Sequence, residues 1–237
     1  MTVDNPMKMH RQIKELLDCE VSQVSTAPYH SQPLMVPKPG TNKKRFTVDV
    51  RSLNEATTTV GGPLPNIEYM MQMIGRRKPK LFAVMDFTPR YHQLPMATEE
   101  RYLTAFITIF GLYEWCRVPM GLKGAPAHFQ RLMVTVVLVN LIYIICEAYL
   151  DDIITYGGSD EEFLGNLHEV LVRFDKYKLT LSPKKFVFGK SEIDYVGRLV
   201  DQYGLSFSKK KRKQVFEIGL PQTQRDMKKF LGLANYF

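Results

Sequence analysis

Cysteine is scarce in this sequence. Three cysteines occur among 237 residues, and Cys19, Cys116 and Cys146 lie far apart along the chain. Disulfide-rich domains carry a dense and even set of cysteines, and structural zinc sites need closely spaced cysteine or histidine pairs. Neither class fits this chain. We therefore expect three reduced thiols.

Long apolar runs and an export signal are also lacking. The most apolar stretch, residues 132–146, is too short to span a bilayer and contains Asn140. Charged residues, among them Lys8, Arg11 and Lys14, interrupt the N-terminal segment where a secretory signal needs an unbroken apolar run. We therefore expect an intracellular protein without a membrane span, and a buried helix and strand over residues 132–146.

Neither repeats nor low-complexity segments occur, and the composition does not indicate disorder. Hydrophobic residues make up 45% and charged residues 24% of the chain, which is ordinary for a protein that buries a core. The length suits one large or two small domains. We therefore expect a globular chain.

Positive charge is concentrated toward the C-terminus. The net charge is +8, yet residues 1–172 hold 17 basic and 18 acidic side chains, and residues 173–237 hold 15 basic against 6 acidic ones. Such a field favours phosphate backbones or anionic lipid. A solvated basic surface is the alternative, and for the run at residues 209–213 taken alone it is the better one.

Apolar spacing predicts an alternation of strands and helices. Helices are predicted at Met7–Cys19, Ile67–Ile74 and Glu161–Tyr177. Two more are predicted to begin after Gly124 and at Thr223. The helix after Gly124 has an apolar face formed by Phe129, Leu132, Met133, Val136 and Val137. Strands are predicted at Lys44–Val50, Leu81–Met85, Leu141–Ala148, Phe186–Phe188 and Ile193–Val200. The central order, β-α-β-turn-β-α-β, predicts an α+β fold with a ferredoxin-like, split βαβ sheet.

Three aspartates fall at strand ends in this order. Asp86 closes a predicted buried strand, and Asp151 and Asp152 form a turn between two apolar strands. For that pair alone an ordinary hairpin turn is the better interpretation, because aspartate is common in turns. Adjacent charges between apolar strands are costly unless cations bind them, and carboxylates select hard ions such as Mg²⁺. The three aspartates therefore predict a two-metal site for phosphoryl transfer.

Several motifs resemble one known family. Tyr149-Leu150-Asp151-Asp152 resembles the catalytic turn of reverse transcriptases, and Val84–Phe87 followed by Tyr91-His92-Gln93 resembles the first catalytic motif of gypsy-class long-terminal-repeat retrotransposons. Further matches follow in order over nearly the whole chain, including Arg45–Asn54, Pro63–Pro65, Thr104–Phe106, Pro119–Leu122, Leu179–Leu181, Lys184–Phe186, Tyr195–Gly197 and Phe230–Leu233.

The resemblance implies a right-hand polymerase fold with a ferredoxin-like palm, a fingers subdomain and a partial thumb. Residues 1–80 are expected to form the fingers, residues 81–200 the palm with a second part of the fingers inserted near 94–118, and residues 201–237 the start of the thumb. The implied function is that of an RNA-directed DNA polymerase domain of a retroelement, which joins deoxynucleotides to a primer 3′-hydroxyl by two-metal nucleotidyl transfer.

The resemblance also implies the metal ligands. These are Asp86, Asp151, Asp152 and the backbone carbonyl of Phe87, holding two Mg²⁺ ions with Mn²⁺ as an alternative. The first three are the implied catalytic residues.

Residues at the nucleotide and the primer follow from the same resemblance. The implied nucleotide-binding residues are Arg45, Lys44, Tyr91, Phe87, Met120 and Gly121, and the implied primer grip is Tyr195, Val196 and Gly197. Arg45 is expected to contact the triphosphate, assisted by Lys43 or Lys44, and the ring of Tyr91 to exclude a 2′-hydroxyl. The alternatives are that the lysine is only solvated, that Tyr91 packs in the core and that Met120 is a packing residue.

The partners implied by the resemblance are an RNA template, a DNA primer or RNA–DNA hybrid, and deoxynucleoside triphosphates. A cytoplasmic virus-like particle or the nucleus is the expected compartment. A protein partner is expected on the side where the remaining thumb, the connection and the ribonuclease H domain of the family would follow.

Three departures from the family pattern support a second hypothesis. Arg90 precedes Tyr91 where the family has Gly or Ala, residues 134–146 are more uniformly apolar than in the family, and the sequence ends after one thumb helix. These features favour a truncated or domesticated reverse-transcriptase fold that serves as a non-catalytic structural or nucleic-acid-binding subunit. The retained Asp86, Asp151, Asp152, Tyr91 and Arg45 favour the enzyme. A DNA-binding protein without catalysis ranks third, because the sequence shows no recognition helix or finger motif.

Overall fold

The structure is a computed structural model that describes residues 6–37, 44–58, 62, 65–87, 91–207 and 221–234. Lys43, Arg90 and the basic run at residues 209–213 lie outside this part of the chain. The chain divides into two units. Unit 1 comprises Met1–Leu64 and Phe87–Val136, and unit 2 comprises Pro65–Asp86 and Val137–Phe237.

The described helices and strands follow the predicted alternation. The helices are α1 Pro6–Asp18, α2 Arg51–Ala56, α3 Ile67–Arg76, α4 Ala125–Leu132, α5 Asp160–Lys176 and α6 Gln224–Ala234, with a π-helical turn at Met133–Val137 and 3₁₀ turns at Tyr91–Gln93 and Thr98–Thr104. The strands are β1 Ser22–Val24, β2 Pro33–Pro37, β3 Lys44–Val48, β4 Leu81–Asp86, β5 Phe106–Thr108, β6 Gly111–Trp115, β7 Cys146–Tyr149, β8 Asp152–Gly157, β9 Val187–Lys190, β10 Glu192–Tyr195, β11 Arg198–Asp201 and β12 Gly204–Phe207.

Unit 1 is built on small antiparallel sheets and an aromatic core. Strands β1, β6 and β5 form one sheet, and β2 pairs with β3. The amphipathic helix α1 buries Met9 and Ile13 in the same cluster as Phe106 and Trp115. The rings of Phe106 and Trp115 lie 5.4 Å apart, within the range in which aromatic pairs add to simple area burial.

Unit 2 contains the predicted ferredoxin-like sheet. Four described strands pair antiparallel in the order β7-β8-β4-β9. Helix α5 connects β8 to β9, and its apolar stripe buries Phe163, Leu167, Val170 and Phe174. Ser159 caps the helix by accepting a hydrogen bond from the Glu162 amide. The central strands β4 and β8 carry Asp86 and Asp152 at their ends. The sequence predicts these positions.

The other face of this sheet packs against α3 and the β10–β11 hairpin. Met70 and Ile74 from α3 are buried in one cluster with Phe82 and Ile154 of the sheet and Tyr195 of the hairpin. The side chain of Asn66 caps α3 by accepting from the Tyr69 amide. The sheet is therefore covered on the side toward which Phe82 and Ile154 point.

Two predicted elements are wrong in detail. The strand predicted over Leu141–Ala148 is confined to β7, since residues 138–145 form turns in which Asn140 and Tyr143 have φ values of 66° and 64°. The strand predicted over Ile193–Val200 is a hairpin, because Val196 and Gly197, at φ values of 47° and 72°, reverse the chain.

The apolar segment at residues 132–146 is not uniformly buried. Met133 and Val137 are buried, but Val136, Val139 and Ile144 are 38%, 38% and 48% exposed. The predicted burial of Val136 is therefore wrong. The π-helical turn widens the helix at this point, so that a face drawn with ordinary helical spacing no longer applies.

The C-terminal helix starts as the sequence predicts. Thr223 and Asp226 form a reciprocal cap, in which the Asp226 amide donates to the Thr223 hydroxyl and the Thr223 amide donates to the Asp226 carboxylate. Among the residues that the structure describes, no helix combines the length and the hydropathy needed to cross a bilayer.

Candidate active site

The three predicted aspartates lie together in unit 2. Asp86 ends β4 and Asp152 begins β8, and the two residues are directly paired in the antiparallel register. Asp151 lies in the two-residue turn between β7 and β8. One carboxylate oxygen from each of the three side chains lies within 4.8 Å of the others. We call Asp86, Asp151 and Asp152 the aspartate cluster.

The turn that carries Asp151 is strained. Leu150 adopts a φ of 55°, a left-handed conformation that costs a residue with a Cβ about 1–2 kcal/mol. Antiparallel strands joined by two residues require a positive φ in this turn because of the strand twist. Such strain persists only where the surroundings hold the turn in place. Here it accompanies a buried Asp151, which is only 5% exposed.

Lys185 is a neighbour of the aspartate cluster that the sequence analysis did not assign to the site. Its Nζ lies 2.5 Å from Oδ2 of Asp86, and the Ser182 amide of the same loop donates to the Asp86 carbonyl at 2.8 Å. The signal was present in the Lys184-Lys185-Phe186 motif, but the contact spans 99 residues of sequence. The loop before β9 is therefore tied to the end of β4.

The donor set suits a hard divalent cation. Three carboxylates held within 4.8 Å of one another repel strongly. The ammonium group of Lys185 balances one of these charges and remains 60% exposed. Oxygen-only ligands of this kind select Mg²⁺, Mn²⁺ or Ca²⁺ rather than zinc. The cluster therefore fits a metal ion of the predicted type.

The predicted primer grip, Tyr195, Val196 and Gly197, lies at the turn between β10 and β11. The Tyr195 side chain is 1% exposed, and its hydroxyl donates to the backbone carbonyl of Asp152 at 3.2 Å. Val196 and Gly197 form the turn and are half-buried. The primer-grip assignment stays a prediction, and the buried Tyr195 side chain restricts direct contact with a primer to the turn.

Glu147 is a buried charge that the sequence analysis missed. It lies on β7, opposite Ile154 of β8, and accepts a hydrogen bond from the Tyr156 hydroxyl at 3.4 Å. Its other carboxylate oxygen has no hydrogen-bond partner among the described residues. Burial raises the pKa of Glu147 to about 8. The signal was a single acidic residue within an apolar strand.

Glu147→Gln is expected to abolish part of the pH dependence of stability. The pKa of this carboxyl is about 8 in the folded chain against an ordinary 4.5, so the unfolded chain releases a proton that the folded chain retains. The free energy of unfolding therefore falls as the pH rises between these values, by up to about 1.4 kcal/mol per pH unit. Urea titrations of the parent chain and the Glu147→Gln variant at about pH 5 and about pH 8 measure this change in the free energy of unfolding. An equal fall between the two pH values in both chains would contradict the expectation.

Arg45, Met120 and Gly121 are brought together within unit 1. The Arg45 guanidinium donates to the Met120 sulfur at 3.4 Å, and its side chain is exposed. Asn54 supports the same loop by donating to the Gly121 carbonyl and accepting from the Lys123 amide, both at 2.8 Å. Gly121 has a φ of 100°, which favours glycine. Lys44 starts β3 and is half-buried.

Tyr91 and Phe87 also belong to unit 1 and share a neighbour. The ring of Phe129, from α4, lies 5.7 Å from Phe87 and 6.2 Å from Tyr91, both in edge-to-face arrangements. Phe87 is buried, and Tyr91 is half-buried at the start of a 3₁₀ turn. The predicted nucleotide-binding residues thus lie in unit 1, and the aspartate cluster lies in unit 2.

Comparison with known proteins identifies the family. The model of the family described as reverse transcriptase (RNA-dependent DNA polymerase) matches residues 36–200. The chain belongs to this family. The motifs of the sequence from Arg45 to Gly197 fall within the matched range.

Retrotransposon polyproteins are among the relatives of this reverse transcriptase family member. The chain is 33% identical over 234 residues to the retrovirus-related Pol polyprotein from transposon opus of Drosophila melanogaster, covering 97% of this chain and 23% of that protein. The corresponding polyprotein from transposon gypsy is 32% identical, with 97% and 22% covered. The predicted membership of the gypsy class is confirmed. The chain spans less than a quarter of the length of these relatives.

A solved structure confirms the fold. The foamy viral protease-reverse transcriptase in complex with an RNA/DNA hybrid matches with a TM-score of 0.82 at 22% identity, covering 100% of this chain and 31% of that chain. The predicted α+β polymerase fold is therefore confirmed.

Proposed function

We propose that the chain is the RNA-directed DNA polymerase domain of a retroelement. The observation that carries this proposal is the aspartate cluster, whose carboxylates converge within 4.8 Å at one end of the ferredoxin-like sheet in a chain of the reverse transcriptase family. A strained turn and a buried Asp151 are costly for a scaffold without catalysis. Both features are expected where carboxylates bind cations.

Asp86, Asp151 and Asp152 would hold two Mg²⁺ ions, with Mn²⁺ as an alternative. The bound ions would activate the primer 3′-hydroxyl and balance charge on the leaving pyrophosphate. The chain's own contribution is to keep the carboxylates in place. The β4–β8 register positions Asp86 beside Asp152, and the short turn positions Asp151.

We assign the nucleotide contacts to unit 1. The exposed guanidinium of Arg45 suits a triphosphate, because its planar fork of donors matches phosphate oxygens. Lys44 is proposed to assist, and Tyr91 to lie under the sugar. Met120, Gly121 and Phe87 complete the proposed group. The turn of Val196 and Gly197 is the proposed primer grip.

The proposed partners are an RNA template, a DNA primer or their hybrid, and deoxynucleoside triphosphates. Two observations support nucleic acid: the basic C-terminal third of the sequence and the RNA/DNA hybrid bound by the foamy viral neighbour. The division into fingers at 1–80, palm at 81–200 and thumb from 201 is likewise proposed. So is a cytoplasmic or nuclear compartment.

Primer extension tests the proposal. The purified chain is incubated with a DNA primer on an RNA template, the four deoxynucleotides and Mg²⁺, and the extended products are resolved by length. Extension that requires both template and metal is the expected result. Binding of the hybrid without any extension would contradict the enzyme and leave the non-catalytic subunit in its place.

Tyr91→Ala is expected to weaken discrimination between sugars. Removal of the ring opens space beneath the ribose, so the preference for deoxynucleotides over ribonucleotides, measured as a ratio of kcat/KM values, should fall roughly 10–100-fold. Tyr91→Phe retains the ring and serves as the matched control, with a ratio close to that of the parent chain. If the alanine variant keeps the parent ratio, Tyr91 only packs against Phe129.

A further inference from the structure

The hydroxyl of Tyr195 is hydrogen-bonded to the backbone of the acidic turn. It donates to the carbonyl of Asp152, the first residue of β8, at 3.2 Å. Tyr149, the last residue of β7, packs against the cluster that contains Tyr195. Tyr195 therefore lies beneath the turn that holds Leu150 and Asp151.

Tyr195 is surrounded by apolar side chains. It is 1% exposed and belongs to a cluster that includes Ile154, Ile193 and Val200. A hydroxyl in such a place is costly unless it is hydrogen-bonded, and the cost of a lost partner exceeds the value of an ordinary surface bond. The buried hydroxyl therefore favours the arrangement of the turn in which the Asp152 carbonyl is within reach.

The β10–β11 hairpin holds Tyr195 in this position. Tyr195 is paired with Arg198 across a two-residue turn, and the strands continue with Ile193 opposite Val200. Both of those residues are buried in the same cluster as Tyr195. The hairpin and the surrounding cluster therefore hold the ring in place, and its hydroxyl supports the turn in which Leu150 is left-handed.

We propose that Tyr195 is a positioning residue that sets the place of Asp151 and Asp152 by its buried hydrogen bond to the backbone carbonyl of Asp152. It touches neither nucleotide nor nucleic acid, since its side chain is buried. The effect on catalysis rests on the proposed polymerase function, whereas the effect on the turn does not.

Tyr195→Phe tests the proposal because it removes only the hydroxyl. Loss of the hydrogen bond to the Asp152 carbonyl should speed amide hydrogen exchange at residues 149–152 by about fivefold or more. The affinity of the chain for Mn²⁺, followed by electron paramagnetic resonance without nucleotide, should fall several-fold. In primer extension kcat should drop at least about tenfold, because small displacements of reacting groups are costly, with the nucleotide KM within about twofold.

Tyr113→Phe is the matched control. Tyr113 is also buried, and its hydroxyl donates to a carbonyl, that of Phe110 in the β5–β6 turn of unit 1, at 3.1 Å. Its removal should leave Mn²⁺ affinity, kcat and exchange at residues 149–152 at parent values. The proposal is overturned if Tyr195→Phe behaves like this control. If the parent chain does not extend primers, the polymerase proposal fails, and the exchange and Mn²⁺ measurements still decide the role of Tyr195.

Discussion

Asp151→Asn should lower nucleotide incorporation by roughly 10²–10³-fold or more, the range for loss of one preorganised electrostatic group. The side chain is 5% exposed and lies within 4.8 Å of two other carboxylates. Asparagine keeps the shape and one oxygen but removes the charge that a divalent cation requires. Measurement of single-nucleotide incorporation at saturating Mg²⁺ gives the change in rate.

The same substitution is expected to leave folding intact. It deletes one of three mutually repelling charges, so the free energy of unfolding should stay unchanged or rise. Binding of an RNA–DNA hybrid, measured by fluorescence anisotropy, should also match that of the parent chain. A loss of stability together with a loss of activity would indicate that Asp151 serves the fold rather than a metal.

Asp175→Asn is the matched control for Asp151→Asn. Asp175 pairs with Lys178 on the surface, where its side chain is 83% exposed. Exposed pairs of this kind contribute little to stability. Incorporation by this variant should equal that of the parent chain, and undiminished incorporation by Asp151→Asn as well would refute the proposed metal site.

Gly157→Ala should destabilise unit 2 by about 2–3 kcal/mol or more. A Cβ at the end of β8 would lie 2.5 Å from the backbone nitrogen and 2.6 Å from the Cα of Phe163 in α5. These atoms belong to a helical backbone, so the whole first turn of α5 would have to move away from the sheet. Urea unfolding measures the loss as a lower midpoint.

Gly165→Ala offers a control with the same chemical change. Gly165 lies within the same helix, and a Cβ there would meet nothing within 4 Å. Alanine at an open helical position is expected to raise stability by about 0.5–1 kcal/mol. Equal midpoints for the two variants would show that α5 is not packed against Gly157 as closely as the structure indicates.

Local pattern was sufficient to predict β4 and α5. The apolar run at Leu81–Asp86 and the amphipathic spacing of α5 each specify their structure within a few residues. The reciprocal cap at Thr223 and Asp226 was predictable for the same reason, because its partners are three residues apart. Such features depend on neighbours along the chain.

Turns whose first left-handed residue is not glycine could not be predicted from the sequence. Asn140, Tyr143, Leu150 and Val196 all adopt positive φ values, and only asparagine among them has a local preference for that region. For Val196 the conformation is imposed by the pairing of β10 with β11 and by the packed residues beneath them. Hydropathy in this region therefore predicted one strand where tertiary packing forms a hairpin.

The sequence by itself determined the family and the identity of the three aspartates, because both depend on residue types in a fixed order. Tertiary structure alone decided which neighbours hold them. Lys185 reaches Asp86 across 99 residues, and Tyr195 reaches Asp152 across 43. The Tyr195 contact depends on strand register, since a shift of one residue would turn every side chain of a strand to the opposite face, and the Lys185 contact depends on the fold of the loop before β9. No pattern in the sequence specifies that register at single-residue precision, whereas packing against both faces of the sheet does.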